Sequence, residues 1–397
     1  MVTVLDPTDR GKKLTRRSGP IRVVLLAPTL APAGGLSRWS RELVRSLEMV
    51  TTPDELTIDV LVRSRMDYGL ATVEQFGLRC RLHELPAGGA SVADRLRSVR
   101  RVGALIKSLD PDVVHTPLSW LWLLADRRFA RPKIVATAHA APSRETVHAQ
   151  DRLLARVLAA RKRIVLATSA ASLRADLDRT VGVRPGTAIC MPVATDPINI
   201  ERAGKDPADL RGALGIRPKE SIVLTLSRLV AGKRVDLILD VIDLARRDGR
   251  PIRFVICGDG PEFGPLVEKA QRRELDGWVH FLKHIPDPER MLLEADVVLN
   301  PSDSEGGMPF ALVEALLAGT PVVATEAGGV VDLLADSQDG MLVPRGDATA
   351  LYNELCATLG QPLNREERAS RAEGRFDLEQ MGRAHLELIE QMVGSVS

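Results

Sequence analysis

Aromatic side chains are scarce in this chain: Phe, Trp and Tyr together make up 3% of its 397 residues. A carbohydrate surface of stacked Trp and Tyr rings, or a single-strand nucleic-acid platform of stacked bases, has few parts to draw on. Recognition of a sugar or a base must then rest on polar groups and backbone, and no nucleic-acid partner is expected. Cysteine is sparse as well. Cys80, Cys190, Cys257 and Cys356 lie far apart, mostly among apolar neighbours, with no CxxC pair and no clustered His. That is the pattern of reduced, buried thiols in a cytoplasmic protein. Long apolar runs are missing too: Leu118 to Ala125 is far too short to span a bilayer, and MVTVLDPTDRGKKLTRRSGP lacks the apolar segment of a signal peptide. Secretion and membrane spanning are both disfavoured.

What is present is a globular composition, 45% hydrophobic and 27% charged with 31 Gly and 25 Pro, on a chain long enough for two domains. A disordered tail protein, a collagen-like fibre and a coiled coil are ruled out. The net charge of +2 conceals a split. Residues 1–195 carry 31 Lys and Arg against 18 Asp and Glu, a balance of +13, and the remainder carries −11. The asymmetry fits two bodies with different partners, or two ordinary domains that attract each other. Lys12, Lys13, Arg16 and Arg17 form a short basic tail, solvated or resting on anionic lipid.

From Ile21 onward β-branched runs such as IRVVLLA, TIDVLV, DVVH, KIVATAH and RIVLATS alternate with stretches of helical period, one of them carrying Trp120 and Trp122. The rhythm restarts at Ser221 with SIVLTLS, IRFVICGDGP, WVHFL, DVVLN, PVVAT and MLVP, with a helix from Arg234 to Arg247 after the first of these. Continuous apolar strands between amphipathic helices predict two doubly wound α/β domains in tandem, each a parallel sheet covered on both faces. The expected division is a frayed tail at 1–19, a first domain at 20–195 and a second at 196–376. The proline-rich stretch from Met191 to Lys219 should act as linker, and a helix from Asp377 should pack terminally with Leu378, Met381, His385, Leu386, Ile389 and Met392 on one face.

In open α/β sheets ligands bind beyond the carboxyl ends of the strands. After the first strand, Gly34 and Gly35 open a helix whose backbone N–H groups can face a phosphate or sugar oxygen, or serve the turn alone. After SIVLTLS come Arg228 and Lys233, two cations at one junction that repel each other unless something negative arrives; a diphosphate is one answer, bulk solvent the other. Gly258 to Pro261 form a compact turn that borders a nucleotide or merely reverses the chain. The richest segment is SEGGMPFALVEALLAGTPVVAT, in which Glu305 ends a polar approach, Gly306, Gly307 and Met308 lead to Pro309 at a helix start, and Glu314 lies on that helix. Two glutamates flanking a helix N-terminus make a polyol clamp, since a carboxylate accepts hydrogen bonds from vicinal hydroxyls.

These segments resemble the retaining glycosyltransferases of family 4, with two Rossmann-like domains in the GT-B arrangement facing a deep cleft. The signature residues are SRLVAGKRVDLIL, ICGDGP and the paired-glutamate segment, with GGLSRW, DVVH, ATAHA and LATSAASLRADL in order before them. The resemblance implies that Arg228 and Lys233 hold the diphosphate of a nucleotide-sugar, that Glu314 binds the ribose, and that Glu305 with the backbone of Gly306 to Pro309 meets the transferred sugar. It further implies that His139 reaches that sugar from the first domain, that Gly34 and Gly35 lie near the phosphates, and that His115 is a second candidate. The leaving phosphate would take the acceptor proton, the cations would do the work of a metal, and no cofactor would be needed. The terminal helix 377–397 would cross back to the first domain. The acceptor would be a glycan, lipid or small-metabolite precursor; a basic first domain fits an anionic or lipid-linked one, with Trp39, Trp120 and Trp122 as apolar candidates there, and peripheral contact at the inner face of the membrane. Two departures stand out: eight residues separate Glu305 from Glu314, one more than the family's usual spacing, and MPVATDP replaces an Asn-Gly pair at the hinge. They keep open a nucleotide-sugar-binding scaffold without turnover; a sugar-nucleotide epimerase of the same fold is a third reading.

Overall fold

The computed structural model describes residues 19–394 apart from 29, 31–33, 64–72, 74–76, 86–91, 125–131, 143–145, 206–208, 284, 286–287, 336–337 and 339. The basic tail expected at residues 1–19 lies outside the described residues except for Gly19, as do residues 395–397.

Seven strands form the first sheet: β1 (Ile21–Ala27), β2 (Leu56–Arg63), β3 (Arg81–Leu85), β4 (Val113–Pro117), β5 (Lys133–Ala138), β6 (Ile164–Thr168) and β7 (Ile189–Cys190). Six form the second: β8 (Ser221–Leu226), β9 (Ile252–Cys257), β10 (Val279–Leu282), β11 (Val297–Asn300), β12 (Val322–Thr325) and β13 (Gly340–Val343). Every pairing is parallel, in the orders β3-β2-β1-β4-β5-β6-β7 and β10-β9-β8-β11-β12-β13. Both orders turn back beside the first strand of their sheet, which opens a crevice at the carboxyl ends of β1 and β4 in one and of β8 and β11 in the other. The arrangement is the GT-B fold.

Helices cover the first sheet as α1 (Gly35–Val50), α2 (Val92–Leu109), α3 (Ala149–Ala160) and α4 (Arg174–Val181), and α5 (Ile198–Lys205) and α6 (Leu210–Leu214) follow in the connection. The second carries α7 (Asp236–Arg247), α8 (Phe263–Arg272), α9 (Pro288–Glu294), α10 (Phe310–Leu317), α11 (Val330–Leu333), α12 (Ala348–Leu359) and α13 (Arg365–Arg375), before α14 (Leu378–Gly394). β1 shows why its sequence is apolar throughout: Val23 and Leu25 enter the core under α1, while Val24 and Leu26 enter the core on the opposite face. The long last helix returns to the first sheet. Leu378, Met381, Ile389 and Met392 join the core with Trp39, Leu43 and Leu47 of α1. Gly382 faces the Ser46 carbonyl so closely that a Cβ would collide with it, so the two helices meet backbone to backbone.

Some local expectations need correction. Leu118–Leu124 is a 3-10 helix, and its Trp122 N–H is tied to the buried Asp151 carboxylate at 2.7 Å instead of continuing an α-helical ladder. Trp120 and Trp122 pack against the core there. The helix expected from Arg234 starts at Asp236, since Arg234 has φ +48°. Of the thiols expected to be buried, Cys80 and Cys257 are, but Cys190 is exposed and Cys356 half-buried; all four are free. No helix among the described residues is long and apolar enough to cross a membrane.

Candidate active site

Four strand ends supply the site. From the second domain come Arg228 and a 3-10 turn at Ala231–Lys233 after β8, and the loop 301–309 between β11 and α10. From the first come His139, directly after β5, and the glycines that open α1. Gly34, at φ +94°, holds a conformation that a side chain would strain.

Local hydrogen bonds shape the loop. The Asn300 side-chain oxygen accepts from the Ser302 N–H at 3.0 Å, and the Thr325 hydroxyl donates to the Ser302 carbonyl. Asp303 then fastens the loop to the 3-10 turn, its N–H donating to the Gly232 carbonyl at 3.1 Å and its carboxylate accepting from Arg234 at 3.0 Å. These ties bring Lys233 and Glu305 together. Lys233 Nζ stands 2.5 Å from Glu305 Oε1, and the Ser302 hydroxyl donates to the same oxygen at 2.8 Å. Glu305 is buried. The Glu305 carboxylate thus rests on Lys233 with the extra residue present in the loop.

The two expected cations differ. Lys233 already has its counter-charge, which corrects the picture of a pair awaiting one anion. Arg228 is exposed, with no acidic partner among the described residues.

The glycines carry the loop to the other domain. A Cβ on Gly306 would run into the Ala140 Cα and the His139 carbonyl, and one on Gly307 would meet the Ser169 hydroxyl. Met308 packs against the cores of both domains, and Pro309 caps α10. Alongside, the Ser172 N–H and hydroxyl donate to Asp332 at 3.0 and 2.6 Å. Gly258 serves the turn: at φ +154° it lies where a Cβ would strike the Ser227 carbonyl.

Glu314 does not present two free oxygens. Its Oε1 is paired with the Arg38 guanidinium, which reaches across from α1. Burial pushes the Glu314 carboxyl up to about 7 against the pull of Arg38. Trp39 is likewise corrected from an acceptor candidate to a core residue, 3% exposed, with the rings of His139 and His115 at 4.4 and 5.0 Å. His115 is buried with Nε2 2.8 Å from the Thr137 hydroxyl, a structural role. His139 Nε2 is buried without a hydrogen-bond partner among the described residues.

Two family models match the chain, one described as Glycosyltransferase Family 4 over residues 33–196 and one as Glycosyl transferases group 1 over residues 207–375. The chain belongs to glycosyltransferase family 4. The amylovoran biosynthesis glycosyltransferase AmsK of Erwinia amylovora is 32% identical over 41% of this chain and 42% of its own length. The D-inositol 3-phosphate glycosyltransferase of Nocardia farcinica is 35% identical over 39% of this chain and 36% of its own. These matches span less than half the length of either relative. Among solved structures, a glycosyltransferase from Rickettsia africae superposes with a TM-score of 0.76 at 15% identity, covering 95% of this chain and 100% of that one. Anabaena Alr3699/HepE in complex with UDP gives 0.72 at 19%, covering 94% and 100%.

Within this family member, Arg38, Arg234, Ser302, Asp303 and Ser169 escaped the sequence reading. Only Arg38 and Arg234 left a signal, one a helical turn after Gly34 and the other beside Lys233. Among the described residues no group of three or more His, Cys, Asp or Glu is placed to hold a metal ion.

The buried imidazoles make acid stability testable. Burial, then the neighbouring His385 and His139, hold His115 well below its ordinary range. Burial holds His139 down to about 3, and His385 down to about 4 against the opposing Met381 carbonyl. All three stay neutral in the folded chain where the unfolded chain protonates. Their stabilisation is complete above about pH 6.5 and falls as pH drops, by about 1.4 kcal/mol per pH unit for each ring. Glu314 acts in the opposite sense between about pH 7 and 4.5 and Asp151 below about pH 6, with the raised Glu48 and the lowered His280 opposing each other, so the net loss is about 1–2 kcal/mol per pH unit. Urea unfolding at a series of pH values between 6.5 and 5 measures it, and a flat profile refutes it.

Proposed function

We propose that the chain is a retaining glycosyltransferase that moves a sugar from a nucleotide-diphosphate-sugar to an acceptor hydroxyl. The observation that carries the reading is the buried Glu305 carboxylate, held by Lys233 and Ser302 in the loop that follows β11. Anionic and cationic groups fixed this way suit a polar sugar and a charged leaving group. Arg228 binds the diphosphate, and Lys233 stabilises the charge that grows on it as the glycosidic bond breaks. Glu305 and the backbone of Gly306 to Pro309 meet sugar hydroxyls, and the unpartnered His139 Nε2 gains one as its partner. The acceptor attacks on the face from which the phosphate leaves, and a phosphate oxygen takes its proton, so no side-chain base and no metal are required. Closure of Gly306 on the first domain excludes water, the competing acceptor.

UDP is the first nucleotide to test, because the Anabaena neighbour is a UDP complex and a related one holds UDP-glucose. Names among the relatives, D-inositol 3-phosphate glycosyltransferase and alpha-monoglucosyldiacylglycerol synthase, support an anionic or lipid-linked acceptor. The +13 balance of residues 1–195 fits such an acceptor and peripheral work at a cytoplasmic membrane face. Incubation with UDP-, GDP-, ADP- and dTDP-sugars and a panel of acceptors should release nucleotide and form a glycoside. Binding without release across the panel would favour a scaffold, and an altered sugar without acceptor an epimerase.

A further inference from the structure

We propose that Arg38 is a positioning residue for the nucleotide: it holds the Glu314 carboxylate as the anion, with one oxygen fixed and the other left for the ribose hydroxyls. The inference rests on the ribose role given to Glu314 above. Arg38 lies one turn into α1, its side chain 11% exposed. Its guanidinium is shared among three oxygens and a ring. It pairs with Glu314 Oε1, donates to the Thr195 hydroxyl at 3.2 Å, stands 3.5 Å from Glu289 Oε1, and lies 5.9 Å from the centre of the Phe310 ring. One side chain thus joins α1 to the hinge, α9 and α10.

The groups that act on Glu314 are Arg38, Arg41 and Glu42 from α1 and Glu289 from α9. Three carboxylates therefore share one buried neighbourhood, and Arg38 is the cation in contact with Glu314. Burial first, then the neighbouring Glu289 and Glu42, lift Glu314 to about 7 even against the pull of Arg38. At that value the carboxyl is about half ionised at neutral pH, and without Arg38 it would keep its proton to higher pH still. A protonated acid loses the charge that makes hydrogen bonds from two vicinal hydroxyls strong. Glu314 Oε2 has no protein partner among the described residues, so the fixed carboxylate keeps one acceptor open. Buried ion pairs contribute little stability over an apolar pair of the same volume, so stability alone gives no reason for a charge here.

The test is UDP affinity by calorimetry from pH 6 to 9, with GDP, ADP and dTDP in parallel, for the wild-type chain and R38Q, R38K, E289Q and E314Q. R38Q is expected to bind at least tenfold more weakly at pH 7, with the deficit shrinking as pH rises to 9, and R38K to recover most of the loss. E289Q removes a repelling carboxylate and frees Arg38 for Glu314, so its binding should persist to lower pH than wild type. That second variant carries the test if R38Q fails to fold. An R38Q deficit that is absent, or constant from pH 6 to 9, overturns the proposal, as does an E289Q profile that is unmoved or shifted upward. Wild-type binding of E314Q, or no nucleotide bound by the wild-type chain, sinks instead the ribose reading on which it rests.

Discussion

Lys233→Ala is expected to lower kcat by about 10²–10³ at saturating donor, the scale set by removing one transition-state charge donor. The structure adds a second consequence. Lys233 Nζ is the cation 2.5 Å from Glu305 Oε1, so truncation leaves a buried carboxylate supported by Ser302 alone. That should cost about 1–3 kcal/mol of stability. Arg228 is exposed, with no acidic partner among the described residues, so Arg228→Ala should lower turnover without a comparable loss of stability. Turnover and urea midpoints for the two variants, beside a surface Lys→Ala control, separate the roles. Near-normal turnover in both would sink the assignment of the diphosphate site. A stability loss in Arg228→Ala as large as in Lys233→Ala would show that the cations do not differ in the way the geometry says.

The contrast between those cations also marks how far the sequence could be read. Apolar runs such as IRVVLLA and SIVLTLS identified the parallel sheets, because a strand buried on both faces has no polar positions to blur its outline. Short edge strands did not stand out: Leu85 is the one buried residue of Arg81–Leu85, and Ile189–Cys190 is two residues long. The polar α13 was missed for a similar reason, since Ala372 is its buried residue. Strand-end logic pointed to Arg228, Lys233, Glu305 and Glu314, but their pairing is a matter of contacts between distant segments. Arg38 and Glu314 are separated by most of the chain, and only the folded arrangement shows that one occupies an oxygen of the other. Trp39 misled because a tryptophan beside a glycine loop looks like a ligand contact; its helical partners Leu43 and Leu47 place it on the core face of α1.

Gly306→Ala should reduce kcat/KM by about 10² while leaving the thermal midpoint near that of the wild type. One methyl group suffices because its neighbours are the Ala140 Cα and the His139 carbonyl, backbone atoms that cannot rotate aside. Gly306 has no left-handed φ, so alanine brings no backbone strain and the effect comes from contact between the domains. Either the loop withdraws from the first domain or strand β5 shifts, and in both cases the sugar-binding backbone moves away from His139 by a fraction of an ångström or more. Displacements near 1 Å account for losses of this size when reacting groups must be aligned. The neighbouring Gly307→Ala should be milder, since a Cβ there meets the hydroxyl of Ser169, which can turn. Gly264→Ala, at the start of α8 with open space around it, serves as the neutral control. Steady-state kinetics beside thermal melts give the comparison. Equal activity in Gly306→Ala and Gly264→Ala would mean that turnover does not pass through this closed arrangement; a large fall in the melting point of Gly306→Ala would place its role in folding. Between those results lies the expected one, a chain as stable as before that binds nucleotide but transfers sugar slowly, because the two halves of its site no longer meet.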